Sequence, residues 1–202
     1  MAIKTLTVAI TGASGIQYGL RLLEVLAQSK IQLRVLISRP AQVVAIMETD
    51  LDLPGQTGEQ EVFLTEYCKA EPGQIQVYGR EQWSAPVASG SGVSDAMVVC
   101  PCTTGTLSSL ATGASRSLIE RAGDVSIKER KPMILVVRET PFSSIHLENM
   151  LRLSQAGVTI MPANPGFYHR PEQVEDLIDF MIARILDHLD IPQDLMPQWG
   201  TS

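Results

Sequence analysis

A glycine-rich turn at residues 11–15 constrains this chain more than any other feature. Residues 6–10 before the turn are apolar and rich in β-branched side chains, which is typical of a buried parallel strand. Residues 20–27 after it have the apolar spacing of a helix. A strand, a tight glycine turn and a helix form the opening unit of a doubly wound sheet. Because the N-terminus of such a helix presents unpaired N–H groups to an anion, the turn predicts a phosphorylated ligand.

The spacing of the glycines argues against a dinucleotide. Gly12, Gly15 and Gly19 do not follow the G-x-G-x-x-G pattern. The next predicted strand ends in Ser38 and Arg39, where a protein that binds NAD has an acidic residue for the ribose. A mononucleotide therefore fits the turn better than NAD does. The alternative, a turn that only joins a strand to a helix, stays open at this point.

Charge and composition exclude several classes of partner. The 202 residues carry a net charge of −6 and no run of lysine and arginine, so we expect no nucleic-acid partner. No apolar run reaches the roughly 18–20 residues that span a bilayer, and the sequence does not open with a secretory segment. We therefore expect a cytoplasmic protein without a membrane anchor.

The cysteines agree with that compartment. Cys68, Cys100 and Cys102 make an odd number, which fits reduced thiols. The C-x-C spacing of the last two, without a histidine cluster nearby, favours packing or turn roles over a metal site. We therefore expect no metal.

The rest of the chain alternates between strand and helix patterns. Further strands are predicted at residues 33–37, 74–78, 96–101, 133–137 and 158–162, and helices at residues 40–48, 62–68, 107–112, 118–130, 145–154 and 174–189. The pattern predicts an α/β protein with a single Rossmann-like or flavodoxin-like domain, a three-layer sandwich with a parallel sheet of five or six strands. We place this domain at residues 1–190 and a C-terminal tail at residues 191–202.

Two more strand ends carry residues suited to a ligand. Strand 96–101 runs into a turn of hydroxyl and glycine residues at 102–106, and parallel strands present such turns at one sheet edge. The two turns should therefore face each other across a crevice. Strand 133–137 ends in Arg138 and Glu139, which either join that crevice or form a surface ion pair.

Three charged or titratable side chains have ordinary structural interpretations. Glu48 is a solvated helix end by pattern, and His146 is a lone, structural histidine in a helix that Ser143 or Ser144 can cap. Arg184 borders the apolar face of the last helix, where it needs an anionic partner or reaches solvent.

Six segments together indicate a family. They are TGASG at residues 11–15, PCTTGTL at 101–107, LIERA at 118–122 with KER at 128–130, RETP at 138–141, HLENM at 146–150 and PGFY at 165–168. In this order they resemble the UbiX-type flavin prenyltransferases over nearly the whole chain. That family shares its fold with the homo-oligomeric flavin-containing cysteine decarboxylases. It usually has Asn just before the LIERA segment, whereas this chain has Arg116 and Ser117.

The resemblance implies an FMN site and an adjoining site for dimethylallyl phosphate. The residues it places on FMN are Gly12, Ala13, Ser14, Ser38, Ser89, Cys102, Thr103, Thr104, Gly105 and Arg138, with Ser89 and Gly90 beside the isoalloxazine ring. The residues it places on dimethylallyl phosphate are Arg121, Lys128, Arg138, Glu139, Tyr168 and Arg184, with Trp199 of the tail closing the pocket. Ser14, Glu48 and Glu139 are implied to be catalytic. The family assembles as a dodecamer with sites at subunit boundaries, and a UbiD-type decarboxylase receives its product.

The implied chemistry suits these residue types. The resemblance implies that N5 and then C6 of reduced FMN attack the prenyl group without a metal. Arginine and lysine stabilise the charge that develops on a departing phosphate. Glu139 among such cations suits an acid or base, and an aromatic, water-poor pocket protects an allylic cation.

Two alternative functions are weighed against this one. An FMN-dependent decarboxylase of the cysteine-decarboxylase type needs a histidine base after the first helix, and no histidine precedes His146. A non-catalytic or NADP-type nucleotide-binding protein would use Arg39 for a 2′-phosphate. A yellow chromophore bound to the purified protein would weigh against the latter.

Overall fold

A six-stranded parallel sheet forms the centre of the molecule. A computed structural model describes residues 2–197, in which the strands are β1 (Thr5–Ile10), β2 (Gln32–Ile37), β3 (Ile75–Val77), β4 (Ala96–Cys102), β5 (Met133–Val137) and β6 (Thr159–Pro162). Their order in the sheet is β3-β2-β1-β4-β5-β6, and every neighbouring pair is parallel. The central strands are buried on both faces, which explains their continuous apolar sequence.

Seven α-helices of the described residues cover the sheet. They are α1 (Ile16–Ala27), α2 (Arg39–Glu48), α3 (Thr57–Tyr67), α4 (Thr104–Ala111), α5 (Leu118–Lys128), α6 (Ser144–Gln155) and α7 (Val174–His188). One apolar core lies between the sheet and the helices α1, α2, α3 and α7. A second core lies on the other face, beneath α4, α5, α6 and the segment at residues 85–88. The predicted three-layer α/β sandwich is therefore confirmed.

Side-chain caps determine where several helices begin. Ser38, Thr103 and Ser117 each accept a hydrogen bond from a backbone N–H in the first turn of α2, α4 and α5. Ser143 caps α6, and the ring of His146 accepts from the Ser143 N–H in return. The structural role predicted for His146 is thus a capping role. Since Ser117 caps α5, the Arg116 and Ser117 pair is compatible with the start of this helix.

The three cysteines lie in the interior of the domain. Cys68, Cys100 and Cys102 are buried and free. Burial raises the pKa of the Cys102 thiol to about 12, which keeps it protonated. Within residues 2–197 there is no group of three or more histidine, cysteine, aspartate or glutamate side chains arranged to hold a metal ion. No helix in the same range has the length and apolar character that a membrane span requires.

After α7, the described part of the chain packs back against the same domain. Ile191 and Leu195 are half-buried against the first core, and the Ile191 N–H donates to the Leu186 carbonyl at 3.0 Å. The Gln193 amide donates to Asp187 at 3.3 Å. Trp199, which the family resemblance places over the pocket, lies outside the described residues.

Candidate active site

Hydrogen bonds join the turns after β1 and β4 directly. The Thr11 hydroxyl donates to the Pro101 carbonyl at 2.8 Å and accepts from the Thr103 N–H at 2.9 Å. The sheet order changes direction between β1 and β4, and α/β proteins bind ligands at such a switch point. The prediction that the two turns meet at one edge of the sheet is confirmed.

A cavity of about 230 Å³ opens at this edge. Its walls include Gly12, Ser38, Arg39, Tyr78 and Thr103. Gly12 packs so tightly on the start of α2 that a Cβ there would lie 2.3 Å from the Cβ of Pro40. Only glycine therefore allows the β1–α1 turn and α2 to approach each other as they do.

The helix N-termini at this edge are suited to an anion. The first turns of α1, α2 and α4 contain no acidic residue, in contrast to those of α3, α5 and α7. The positive dipole ends of α2 and α4 are therefore not neutralised by a carboxylate of their own. Thr104 and Gly105 form the first turn of α4, and a Cβ on Gly105 would meet no atom closer than 3.8 Å.

Two of the residues predicted to contact FMN are buried. Cys102 is fully buried, and its carbonyl accepts from the Arg138 N–H at 3.2 Å. Ala13 is also buried, with its N–H bonded to the Thr11 carbonyl at 2.9 Å. Both residues support the turns, and neither side chain lines the cavity.

Glu48 reaches from the end of α2 to the start of α1. Its Oε2 accepts from the Gly15 N–H at 2.8 Å and from the Ile16 N–H at 3.3 Å, and its carboxylate also bonds the Ser14 side chain. Burial alone would raise the pKa of Glu48, but these hydrogen bonds and the nearby Arg138 lower it below its ordinary value. The structure thus brings Ser14 and an ionised Glu48 together, which corrects the interpretation of Glu48 as a solvated helix end.

Arg138 and Glu139 lie at the carboxyl end of β5, beside β4. Both side chains are half-buried. Arg138 acts on Glu48 through its charge, and Glu139 accepts from the Thr140 N–H at 3.1 Å. The two residues therefore belong to the same edge as Gly12, Ser14 and Thr103, and we call this set the edge group.

A second group of predicted residues lies on the flank of the sheet. The Arg121 Nε donates to the Ala88 carbonyl at 3.0 Å, and its Nη1 pairs with Asp124 at 3.0 Å. Lys128 pairs with Glu129, and its Nζ is 3.0 Å from where a Cβ on Gly90 would lie. Ser89, Gly90, Arg121 and Lys128 thus form one neighbourhood, which we call the flank group.

The flank group is displaced from the edge group within the chain. The helix α5 starts near the carboxyl edge, where the Leu118 N–H donates to the Arg80 carbonyl at 2.8 Å. It then runs back towards the start of β5, so Lys128 lies about 15 Å further along the helix axis.

A third group lies on the α7 side. Tyr168 packs edge-on against Phe180 with ring centroids 5.8 Å apart, and Arg184 pairs with Asp187 at 3.0 Å. Both line a separate cavity of about 1160 Å³ that also includes His169. The anionic partner expected for Arg184 is therefore Asp187. We call Tyr168 and Arg184 the α7 group.

The sequence interpretation missed two polar residues near these groups. Arg34 on β2 bonds the loop that contains Ser89 and Gly90. His169 stacks on Phe180, and both of its ring nitrogens are buried without a hydrogen-bond partner among residues 2–197. Each is a single polar residue within an unremarkable pattern, so no sequence signal pointed to it.

Comparison with known proteins agrees with this doubly wound α/β architecture. A family model described as flavoprotein matches residues 1–186. The flavin prenyltransferase UbiX of Pseudomonas aeruginosa is 60% identical over 197 residues, which cover 98% of this chain and 94% of the relative. The chain belongs to the flavoprotein family and, within it, to the UbiX-type flavin prenyltransferases.

Two solved structures match the whole fold. The structure of AnUbiX in complex with FMN and dimethylallyl pyrophosphate has a TM-score of 0.87 and 34% identity and covers 100% of both chains. A dodecameric FMN-dependent UbiX-like decarboxylase from Escherichia coli O157:H7 has a TM-score of 0.85 and 32% identity, with 97% of this chain and 99% of that chain covered.

Proposed function

We propose that the protein transfers a dimethylallyl group from dimethylallyl phosphate to N5 and C6 of reduced FMN, which makes prenylated FMN. The observation that carries this proposal is the near full-length 60% identity to a flavin prenyltransferase. The carboxyl edge of the sheet supports it independently, because the N-termini of α2 and α4, which suit a phosphate, lie there with Arg138 and the ionised Glu48.

The residues of the edge fit an FMN phosphate. The proposed contacts are Gly12, Ser14, Ser38, Thr103, Thr104, Gly105 and Arg138, with Ala13 and Cys102 shaping the turns. Backbone N–H groups at the starts of α2 and α4 suit phosphate oxygens, and an arginine adds a charge-assisted hydrogen bond. The close approach of Gly12 to Pro40 leaves the turn without a side chain that would fill the cradle.

The cationic residues fit the phosphate of the prenyl donor. We assign Arg121, Lys128, Arg138, Tyr168 and Arg184 to that phosphate. As the C–O bond of the donor breaks, negative charge grows on the leaving phosphate, and these donors stabilise it more strongly than they stabilise the ground state. The Tyr168 ring, together with Trp199 of the tail, would shield the allylic carbon from water.

Two carboxylates handle protons in this proposal. Reduced FMN, when bound, would supply the N5 and C6 nucleophiles. N5 and C6 would each release a proton and the alkene CH carbon of the prenyl group would take up one, so that the flavin gains C5H8 and the phosphate leaves. Ser14 is hydrogen-bonded to Glu48, so the pair can accept a proton near the start of α1. The lowered pKa keeps Glu48 ionised, so its carboxylate can take up a proton from Ser14 as a weak base. Glu139 would move a proton on the phosphate side.

The separation of the three groups fits a site shared between subunits. We propose that the protein is a homo-oligomer, a dodecamer like the Escherichia coli relative, in which the flank and α7 groups of neighbouring copies complete the edge group of another. We further propose that a UbiD-type decarboxylase receives the product. The three free, buried cysteines fit a reducing cytoplasm, in which we place the reaction.

An anaerobic mixing experiment tests the proposed reaction. The purified protein is incubated with reduced FMN and dimethylallyl monophosphate, or with the diphosphate in a parallel sample, and the released flavin is analysed by mass spectrometry. We expect a flavin heavier by one C5H8 unit. Unmodified FMN in both samples, from a folded and flavin-binding protein, would contradict the proposal. A Glu139→Gln variant should retain FMN and slow the transfer.

A further inference from the structure

The segment at residues 85–92 packs on the sheet beside α5. It consists of two short 3₁₀ turns, Pro86–Ala88 and Gly90–Gly92, and its Ala85 and Val87 are buried in the second core. Gly92 packs so closely on the first turn that a Cβ would lie 2.6 Å from the Pro86 carbonyl oxygen. The segment is therefore compact. Its internal contacts are short-range, so its position on the sheet depends on contacts with other residues.

Arg34 binds this segment from the sheet side. It is the third residue of β2, paired in register with Thr7 of β1. Its guanidinium Nη1 donates to the Gly92 carbonyl and lies 3.3 Å from the Ser94 hydroxyl, which in turn accepts from the Thr7 hydroxyl at 2.8 Å. Arg34 thus connects two strands to the end of the segment.

The bonding of Arg34 is unusual for a half-buried cation. Within residues 2–197 its side chain forms no ion pair, and its partners are a backbone carbonyl and a hydroxyl. A cation removed from water at the edge of an apolar core needs such acceptors, because it would otherwise lose its hydration without compensation. The Gly92 carbonyl is therefore held at one place above β2.

A second arginine holds the other end of the segment. The Arg121 Nε donates to the Ala88 carbonyl at 3.0 Å, and Gly90 lies against the Lys128 and Glu129 side chains of α5. Ser89 and Gly90 thus lie between two arginine contacts. One is the bond from Arg34 of the sheet to Gly92, which we call the clamp, and the other is the bond from Arg121 of α5 to Ala88. Arg121 is proposed to bind the donor phosphate, whereas Arg34 contacts the segment from β2 and is assigned no part in phosphate binding.

We propose that Arg34 is a positioning residue, which fixes the segment from Ala88 to Gly92 and thereby the wall that borders the flavin ring. This inference rests on the proposed function for the flavin and on the Arg34 contacts for the wall. If the clamp is lost, Ser89 and Gly90 sample several positions, and the bound ring has to order them at a cost in affinity.

Amide hydrogen exchange on the full-length, flavin-free protein tests the clamp itself. An Arg34→Met variant keeps most of the apolar stem and removes the donors. We expect the amides of residues 88–92 to exchange about tenfold faster, as the loss of one charge-assisted hydrogen bond predicts, while those of β1 and β4 are unchanged. The matched control is Arg152→Met, since Arg152 also donates to a backbone carbonyl, that of Ala111 at 3.4 Å, but on α6.

Flavin titration tests the consequence of the clamp. For Arg34→Met we expect an FMN dissociation constant about tenfold higher, together with an altered visible circular dichroism of the bound flavin. Arg152→Met should match the wild type in both. The FMN dissociation constant of Arg34→Lys should lie between those of the wild type and Arg34→Met, because an ammonium cannot reproduce the geometry of the guanidinium. If Arg34→Met fails to fold, Arg34→Lys is used for the test.

The possible results distinguish a failure of the Arg34 inference from a failure of the proposed function. Unchanged exchange at residues 88–92 in a folded variant would overturn the clamp. Faster exchange with wild-type FMN affinity and spectrum would overturn the positioning role. A wild-type protein that binds no FMN would instead contradict the proposed function, and the exchange experiment would still report on Arg34.

Discussion

Glu48 combines a structural bond with a charge that depends on pH. Because hydrogen bonds lower its pKa in the folded protein, the ionised carboxylate contributes stability above the ordinary pKa of glutamate, about 4.3. That contribution is lost as the pH falls through the lowered folded value. We therefore expect Glu48→Gln to lower the free energy of unfolding by up to about 1 kcal/mol at pH 7, because solvent screens this partly exposed carboxylate, and by less at about pH 3. Urea denaturation at both pH values measures the difference. If Glu48→Gln loses the same unfolding free energy at both pH values, the loss comes from the packing of the glutamine amide and not from the charge.

His169 is the reverse case, a polar side chain that we expect to lower the free energy of unfolding. Its ring stacks on Phe180 with centroids 5.4 Å apart and planes at 9°, while neither ring nitrogen has a hydrogen-bond partner within residues 2–197. A buried N–H without an acceptor costs roughly 1–3 kcal/mol. His169→Phe keeps the stacked ring and removes that cost, so we expect the free energy of unfolding to rise by about 1 kcal/mol.

The exposed His188 provides the control for this change. It lies exposed in the last turn of α7, so His188→Phe removes no buried unpaired polar group and should bring no gain in stability. Thermal or urea denaturation of both variants gives the comparison. A less stable His169→Phe protein would mean that a ligand or another subunit supplies the missing acceptor.

At the scale of elements, the contact between the β1–α1 turn and α2 is the tightest one at the edge. A Cβ on Gly12 would lie 2.3 Å from the Pro40 Cβ and 2.9 Å from the Pro40 carbonyl carbon, which is backbone and cannot rotate away. Gly12→Ala must therefore push α2 and the turn apart. We expect a loss of about 1–3 kcal/mol in unfolding free energy and weaker FMN binding.

Gly58→Ala is the matched control for Gly12→Ala. Gly58 lies in α3, and a Cβ there would meet nothing within 4 Å. This variant should be unchanged or more stable by up to about 1 kcal/mol, because alanine favours a helix. Denaturation and fluorescence titration with FMN measure both effects. Equal behaviour of the two variants would contradict the close contact between Gly12 and Pro40.

The elements that the sequence predicted well are those with a strong local signal. Apolar runs between turn residues predicted β1, β2, β4, β5 and β6, and the hydroxyl residues Ser143 and Ser144 predicted the start of α6. The helix α3 was predicted only from residue 62, whereas it begins at Thr57. Its buried residues are Gln60 and Leu64, so no apolar stripe marks its first half. The 3₁₀ turns at residues 86–92 are held by tertiary contacts, which local sequence does not record.

The candidate site was predictable to the extent that topology alone brings residues together. A parallel sheet places the ends of β1, β4 and β5 at one edge, so Gly12, Thr103 and Arg138 could be grouped in advance. The distance of Lys128 from that edge depends on the direction of α5, and the partner of Arg184 depends on the packing of α7. The contacts of Arg34 and His169 depend on loops that lie over them, which the pattern of the strand or helix does not specify.

At the scale of the whole molecule, the separation of the edge and flank groups determines what an oligomer must do. Ser14 and Glu48 lie at the carboxyl edge, whereas Lys128 lies about 15 Å along α5 beside Gly90. If a neighbouring copy supplies Lys128, two inactive variants can repair each other. A site with a normal edge from a Lys128→Ala subunit can receive Lys128 from a Ser14→Ala subunit.

Co-expression of the two variants with different tags, followed by purification of mixed oligomers, tests this arrangement. With random mixing, up to about a quarter of the sites combine a normal edge with a normal lysine, so activity should return to roughly that fraction of the wild type. The control mixture joins Ser14→Ala with Glu48→Gln, which damage the same edge in every subunit and should not recover. No recovery in the first mixture, with mixed oligomers present, would mean that each chain completes its own site, and Lys128 would then have to reach the edge by a movement of α5.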